Sequence, residues 1–275
     1  MTTLRSLAPT GPFAHYPSLR GRRVLISGGA SGIGAALVRG FVAQGSAVAF
    51  VDVQDEAAAA LMAELSGERG ATSGVAWDAA GVAPIYRHCD LSDASAIPDA
   101  VADCIRWLGG LDVLVNNAGN DRRHASDTVS VAEWDELTAI NLRQQFFVTQ
   151  AALPALRQSG AASVLHMSSI AWRIPSVGLP AYVAAKAGIV GLARSLAFEE
   201  GKHNIRVNSI QPGAILTEKQ KQLWVTPEYS AEILSRQAIR RHLEPEEVVR
   251  LALFLAADDS SGMTGQSYVI DGGWV

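Results

Sequence analysis

Short, continuous apolar runs alternate along the chain with longer stretches in which apolar positions recur at helical spacing. The runs are Arg23 to Ser27, Ser46 to Asp52, Ala83 to Cys89, Leu111 to Val115, Val164 to Met167, Ile205 to Ile210 and Ser267 to Ile270. Brief apolar runs without strict alternation suit strands that are covered on both faces. Between them lie Ala35 to Ala43, the alanine-rich Ala57 to Leu65, and a helix from near Ala94. A long helical region follows from about Val131 to Leu156, then a helix from Ala184 and an amphipathic one from Pro245 to Ala257. Strands alternating with helices predict a single α/β domain. Its expected form is a Rossmann-type, doubly wound parallel sheet of about seven strands with helices on both faces.

The breaks in this pattern set the domain limits. Residues 1–20 carry Pro9, Gly11, Pro12 and Pro17 without periodicity and read as an N-terminal extension to a domain spanning 21–275. Ser66 to Ala83 is rich in Gly, Ala and Ser and reads as a long surface loop. Residues 214–240 mix polar and aromatic side chains, with Trp224, Pro227 and Tyr229, and suit a lid over a pocket. No internal repeat or low-complexity segment occurs.

Composition narrows the function classes. With 48% hydrophobic residues among 275, the chain has ample material for a buried core. A net charge of −4 without a basic run leaves no electrostatic footprint for nucleic acid. The N-terminus has no apolar leader, and no run of about 18 apolar residues occurs, so no membrane partner is expected. Cys89 and Cys104 belong to no Cys-x-x-Cys or zinc-type cluster, so they read as buried thiols in a reduced, cytoplasmic protein without a metal.

The candidate chemistry gathers at strand ends. Gly28-Gly29-Ala30-Ser31-Gly32-Ile33-Gly34 joins the first strand to its helix, where backbone N–H groups can approach a pyrophosphate. Asp52 ends the second strand, where an acid can hydrogen-bond the adenosine ribose. A 2′-phosphate there would meet a like charge worth about 4 kcal/mol at 4 Å. Neither Ser31 nor Val53 offers a compensating cation, so the expected cofactor is NAD rather than NADP. The competing reading of Asp52 is a helix cap, a role that Gln54-Asp55-Glu56 serves equally well. Asp90, followed by Leu91, either faces the adenine or caps the next helix. Asn116-Asn117-Ala118-Gly119 places small residues and amides where backbone passes close to a ligand. Asn141, a poor helix former inside a helical region, is either a satisfied core amide or a functional one.

Ser169 follows the fifth strand, and Tyr182 and Lys186 lie four apart, on one face of a helix. A lysine cation beside a phenol favours the phenolate, so Tyr182 is expected to have a lowered pKa and to act as a general base.

Taken together, these motifs resemble the short-chain dehydrogenase/reductase family from Arg22 to the C-terminus. The resemblance implies catalytic roles for Asn141, Ser169, Tyr182 and Lys186. In that scheme Tyr182 is the base, Lys186 holds the tyrosinate and the nicotinamide ribose, Ser169 donates to the reacting oxygen, and Asn141 holds a water in a proton relay. The same resemblance places Pro212, Gly213, Ile215 and Thr217 at the nicotinamide, and it implies a homotetramer built on the helices near residues 141–157 and 186–200. A narrower likeness, carried by residues 120–124, 141–143, 169–172 and 221–228, is to bacterial aldose dehydrogenases. It implies oxidation of a sugar such as D-xylose, L-arabinose, D-galactose or L-fucose to its lactone. Asn120 and Asp121 are then placed to take sugar hydroxyls, and Trp172 either stacks on the ring or packs in the core. His124 is either a further site residue or an ordinary loop histidine. Two other classes compete: a short-chain enzyme acting on a polyol, secondary alcohol or 3-hydroxy/3-oxo acid derivative, and a non-catalytic dinucleotide-binding protein.

Overall fold

The computed structural model describes residues 13–67, 83–218, 220 and 226–275. Strands β1 (Arg23–Ser27), β2 (Ala47–Asp52), β3 (Ile85–His88), β4 (Val113–Asn116), β5 (Ala162–Met167), β6 (Ile205–Pro212) and β7 (Ser267–Ile270) form one sheet. Their order is β3-β2-β1-β4-β5-β6-β7, with every neighbouring pair parallel. Helices α1 (Gly32–Ala43), α2 (Asp55–Gly67), α3 (Ile97–Leu108), α4 (Val131–Thr138), α5 (Gln144–Ser159), α6 (Pro180–Glu200), α7 (Pro227–Arg236) and α8 (Pro245–Ala256) connect and cover it. The chain leaves β1 toward β2 on one side and later returns to place β4 on the other. This is the reversal of strand order at which open α/β sheets form a ligand crevice beyond their strand C-termini.

Two apolar layers explain the continuous strand runs. In β1, Val24 and Ile26 face a layer with Leu37 and Phe41 of α1 and Val249 and Leu253 of α8. Leu25 faces the opposite layer, with Val101 and Cys104 of α3, Val148 and Leu156 of α5 and Leu196 of α6. Successive side chains of a strand point to opposite faces, so a sheet covered on both sides needs apolar residues at every position. Each large side chain so buried is worth about 1.5–3 kcal/mol. At the opposite edge from the crevice, Asp112 accepts hydrogen bonds from the Arg23 backbone N–H (2.9 Å) and from its guanidinium Nε (2.8 Å) and Nη2 (2.7 Å). Asp112 thus pins the start of β1 to the start of β4.

The structure departs from the sequence pattern in three places. The helical region expected from Val131 to Leu156 is two helices separated by a π-helical turn, Ala139–Arg143, which contains Asn141. Residues 13–20 pack against the domain, with Leu19 fully buried and Tyr16 N–H donating to Gln44 Oε1 at 2.9 Å. Helix α2 continues to Gly67, and most of the expected loop, like Trp224, lies outside the described residues. Pro180–His203 is long and apolar enough to cross a membrane, but it packs against β5 and β6 and buries Ala185, Lys186, Ile189 and Ala193.

Candidate active site

The glycine-rich turn is held open by its neighbours. Gly28 has φ +66°, and a Cβ there would lie 2.7 Å from Ala118 Cα. A Cβ at Gly34 would collide with the carbonyl oxygen of Gly28, so the start of α1 lies directly against the turn. Ser27 Oγ accepts from the N–H groups of Asn117 (3.0 Å) and Ala118 (3.1 Å), while Asn117 Nδ2 donates to the carbonyls of Ser27 (3.1 Å) and Gly28 (2.9 Å). The ends of β1 and β4 are thereby locked together. Asp52 is buried, and its Oδ2 accepts from Ala30 N–H at 2.9 Å. Its Oδ1 accepts from Val53 N–H at 2.8 Å and Gln54 N–H at 3.1 Å. Asp52 therefore fixes the turn as well as lining the crevice.

A cavity of about 1140 Å³ runs from this turn across the sheet edge. That exceeds the roughly 300–1,000 Å³ of sites for drug-sized ligands, leaving room for a dinucleotide and a small substrate together. Gly28, Ser31, Ile33, Gly34, Asp52, Leu91, Asn117, Ala118 and Gly119 border one part, and Pro212, Gly213, Ile215 and Thr217 another. Gly32, with φ +54°, starts α1 beside Thr217 without bordering the cavity. Asp90 does not border it either: its Oδ1 accepts from Ser92 N–H (2.9 Å) and Ser92 Oγ (2.7 Å) in a local turn, and the next helix begins at Ile97 with Ala96 as its N-cap, so neither reading describes its place. Cys89, its neighbour, takes the place at the wall. Both cysteines are buried and free, and among the described residues no three His, Cys, Asp or Glu side chains gather to hold a metal ion.

Ser169, Tyr182 and Lys186 meet in this cavity. Ser168 Oγ donates to the Lys186 carbonyl at 2.6 Å, fastening α6 to the end of β5. Lys186 Nζ donates to the Met167 carbonyl at 2.8 Å and stands 5.4 Å from the Tyr182 ring centroid. The expected lowering of the Tyr182 pKa is not what this arrangement produces. Burial pushes the phenol up to about 12, and the hydrogen bond with Ser169 offsets only part of that. Burial also brings Lys186 down to about 8, with the Asp121 charge acting the other way. The ammonium is directed at a carbonyl, and both groups sit in a desolvated setting that disfavours charge.

Asn141 is fully buried, and its side chain is a satisfied core amide. Its Oδ1 accepts from Asn120 N–H at 2.9 Å, and its Nδ2 donates to the carbonyls of Asn120 (2.8 Å) and Leu137 (2.9 Å). The amide thus ties the π turn to the chain after β4. Below Lys186 lies a buried polar layer that the sequence pattern does not reveal. Gln145 Nε2 donates to the same Met167 carbonyl at 3.2 Å, and Gln145 Oε1 lies 2.9 Å from His166 Nδ1. Burial drops His166 to about 3, so it is neutral at physiological pH.

On the substrate side, Asn120 and Asp121 border the cavity. Asn120 Oδ1 is engaged by Arg122 N–H at 3.0 Å, whereas Asp121 Oδ2 accepts from Gln220 Nε2 at 3.1 Å. Trp172 does not border the cavity; it lies exposed on a 3-10 turn, with the Arg173 guanidinium 5.9 Å from its ring centroid. Ile174 and Leu179 of the same segment form the wall instead. His124 also lies outside: its N–H donates to Gly178 O at 2.9 Å, and its Nε2 receives the Ala181 N–H at 3.4 Å near the start of α6. Tyr229, Glu232 and Arg236 of α7, together with Trp274, complete the cavity wall. Tyr229, Glu232 and Arg236 fall in the 214–240 segment expected to cover a pocket, whereas Trp274 was not singled out from sequence, because strand-end motifs do not mark a chain terminus.

A strand-turn-helix cradle, a serine at a strand end and a Tyr-x-x-x-Lys pair in one cavity define a nicotinamide-dependent oxidoreductase, and the chain belongs to the short-chain dehydrogenase/reductase family. Residues 28–275 match a family model described as enoyl-(acyl carrier protein) reductase. The chain is 44% identical over 261 residues to D-xylose 1-dehydrogenase of Caulobacter vibrioides, covering 95% of this chain and 98% of the relative. It is 43% identical over 264 residues to a probable galactose dehydrogenase of Rhizobium meliloti, covering 96% and 99%. A solved structure of 7α-hydroxysteroid dehydrogenase with NADH and 7-oxo glycochenodeoxycholic acid superposes with a TM-score of 0.84 at 29% identity, covering 94% of this chain and 96% of that one.

Proposed function

We propose that this chain is an NAD-dependent aldose 1-dehydrogenase, which oxidises the anomeric hydroxyl of a pentose or hexose to the sugar lactone. The observation that carries the reading is the meeting of Ser169, Tyr182, Lys186 and the carboxylate of Asp121 at one cavity. The 44% identity to a D-xylose dehydrogenase supports the sugar as substrate class. The residues fit the cofactor: a Cβ would fill the cradle at Gly28 or Gly34, and Asp52 stands where a 2′-phosphate would be repelled. The turn from Gly28 to Gly34, Asp52, Leu91, Asn117 to Gly119, Lys186, Pro212, Gly213, Ile215 and Thr217 would hold it. When bound, the nicotinamide accepts the hydride from the anomeric carbon.

The chain's own groups manage the proton and the charge. Tyr182 takes the proton of the anomeric hydroxyl, and Ser169 donates to the reacting oxygen as negative charge develops there. Lys186 stabilises the tyrosinate once formed; its carbonyl anchor at Met167 keeps it beside the ring. Asp121 accepts sugar hydroxyls, and Gln220 holds its carboxylate in place. Product chemistry tests this reading. Proton NMR of a completed turnover should show lactone or its aldonic acid; a ketose as product would mean that a secondary alcohol is oxidised instead.

The molecule is proposed to act as a cytoplasmic homotetramer. Phe198 on α6 is 81% exposed and Phe146 on α5 is 38% exposed, an apolar cost that a subunit contact through these two helices would remove. Light scattering should return about four times the 29.1 kDa of one chain. A monomer mass would discard the assembly and leave the chemistry intact.

A further inference from the structure

The C-terminus is built into the cavity wall. After β7 the chain runs through Asp271, Gly272 and Gly273 to Trp274 and Val275. Asp271 is buried, and its two carboxylate oxygens accept from Gly273 N–H (2.8 Å) and Val275 N–H (2.9 Å), folding the last residues back in a tight turn. Gly272 and Gly273 have φ of +70° and +80°, a region that other residues rarely adopt. The turn is also fastened to the end of α7. Ile239 N–H donates to Gly272 O at 2.9 Å, Ala238 N–H to Gly273 O at 3.3 Å, and Gln237 Nε2 to Asp271 O at 3.1 Å. On its other side it sits behind the strand-end turn, since a Cβ at Gly213 would lie 2.7 Å from Asp271 Cβ. Trp274 therefore stands between the Pro212–Gly213 turn and α7, bordering the same cavity as Tyr182 and Asp121.

We propose that Trp274 is the aromatic wall of the sugar subsite and that Asp271 is the positioning residue that holds it there. The proposal rests on the aldose reading and adds a specificity determinant to it. An aldopyranose has faces rich in C–H groups and an edge rich in hydroxyls. An indole covers the former, while Asp121, Glu232 and Arg236, which border the same cavity, serve the latter. The exposed Trp172 leaves this role open to a residue distant in sequence.

Steady-state kinetics with saturating NAD test it, using Trp274→Ala, Trp274→Phe and Asp271→Ala. Trp274→Ala should raise the sugar KM about tenfold, which is about 1.4 kcal/mol, while the KM for NAD moves less than about twofold. Trp274→Phe should recover most of the loss. Asp271→Ala should raise the sugar KM in the same sense, and the double variant should be no worse than either alone, because both remove one positioned ring. Should either alanine variant fail to fold, Trp274→Phe decides alone: sugar should change the tryptophan fluorescence of the wild type, and that change should be lost in this variant; a change that persists would overturn the proposal. A sugar KM unchanged by Trp274→Ala, or a KM for NAD that rises as much, would overturn the proposal. Were the wild type to oxidise a polyol but no aldose, the aldose reading would fail by itself. The same comparison on that polyol would then decide whether Trp274 bounds the substrate.

Discussion

Burial favours the neutral form of both Tyr182 and Lys186, raising the phenol to about 12 and lowering the ammonium to about 8. Oxidation needs the phenolate, so the rate should follow its formation. The phenol sets the sign: kcat/KM for aldose oxidation rises with pH as the phenolate forms below about 12, instead of levelling near neutrality, and loss of the Lys186 charge above about 8 makes that rise shallower. The two groups are close enough that the apparent values belong to the pair. A profile flat from pH 6 to 10 would contradict this. Tyr182→Phe should lose about 10²- to 10⁴-fold in kcat, the usual share of a positioned base. Asp52→Asn keeps one acceptor oxygen for the glycine turn but removes the charge. NAD preference over NADP, measured as a ratio of kcat/KM values, should narrow by up to about a thousandfold, the equivalent of about 4 kcal/mol. An unchanged ratio would relieve Asp52 of that role. At this scale sequence adjacency misleads as often as it helps. Trp172 lies three residues from Ser169 yet turns outward, whereas Trp274, next to last in the chain, borders the cavity. Backbone direction in a 3-10 turn and the fold-back of a terminus leave no periodic trace.

Among the elements, β1 and β4 carry the site, and their alignment depends on polar pins at both ends. Ser27 and Asn117 pin them at the crevice, and Arg23 and Asp112 at the opposite edge. Burial pushes the Asp112 carboxyl up, but the hydrogen bonds from Arg23 and Ser159 outweigh it and hold the group at about 2. A depressed carboxyl contributes stability above its unfolded value, near 3.8, and that contribution fades as pH falls toward about 2. Asp112→Asn should cost about 2–4 kcal/mol in urea unfolding at pH 7, since it strips the charge opposite a partly buried guanidinium. A cost within 0.5 kcal/mol, the usual scatter of surface substitutions, would show that the pin contributes little. The helix break at Asn141 was half legible. The sequence marked Asn141 as a poor helix former inside one expected helix, but the π turn Ala139–Arg143 that divides it appears only in the structure, where the Asn141 amide bonds Asn120 and Leu137.

For the whole molecule, the seven strands, their parallel sense and their alternation with helices were readable because a sheet covered on both faces requires continuous apolar runs. The glycine cradle and the Ser-Tyr-Lys set were readable because each sits at a strand end or on one helix face. Residues 214–240 were readable as a cover over a pocket, but the part of the wall made by Trp274 was not, since the fold-back of the C-terminal turn against the end of α7 leaves no periodic trace. Absorbance of reduced cofactor tests the central claim most directly. The purified chain would be given a panel of pentoses, hexoses, polyols and secondary alcohols, each with NAD and with NADP. The account predicts fast reduction of NAD with at least one aldose and little with NADP. Turnover of polyols or secondary alcohols alone would contradict the substrate class, and a preference for NADP would contradict the role given to Asp52.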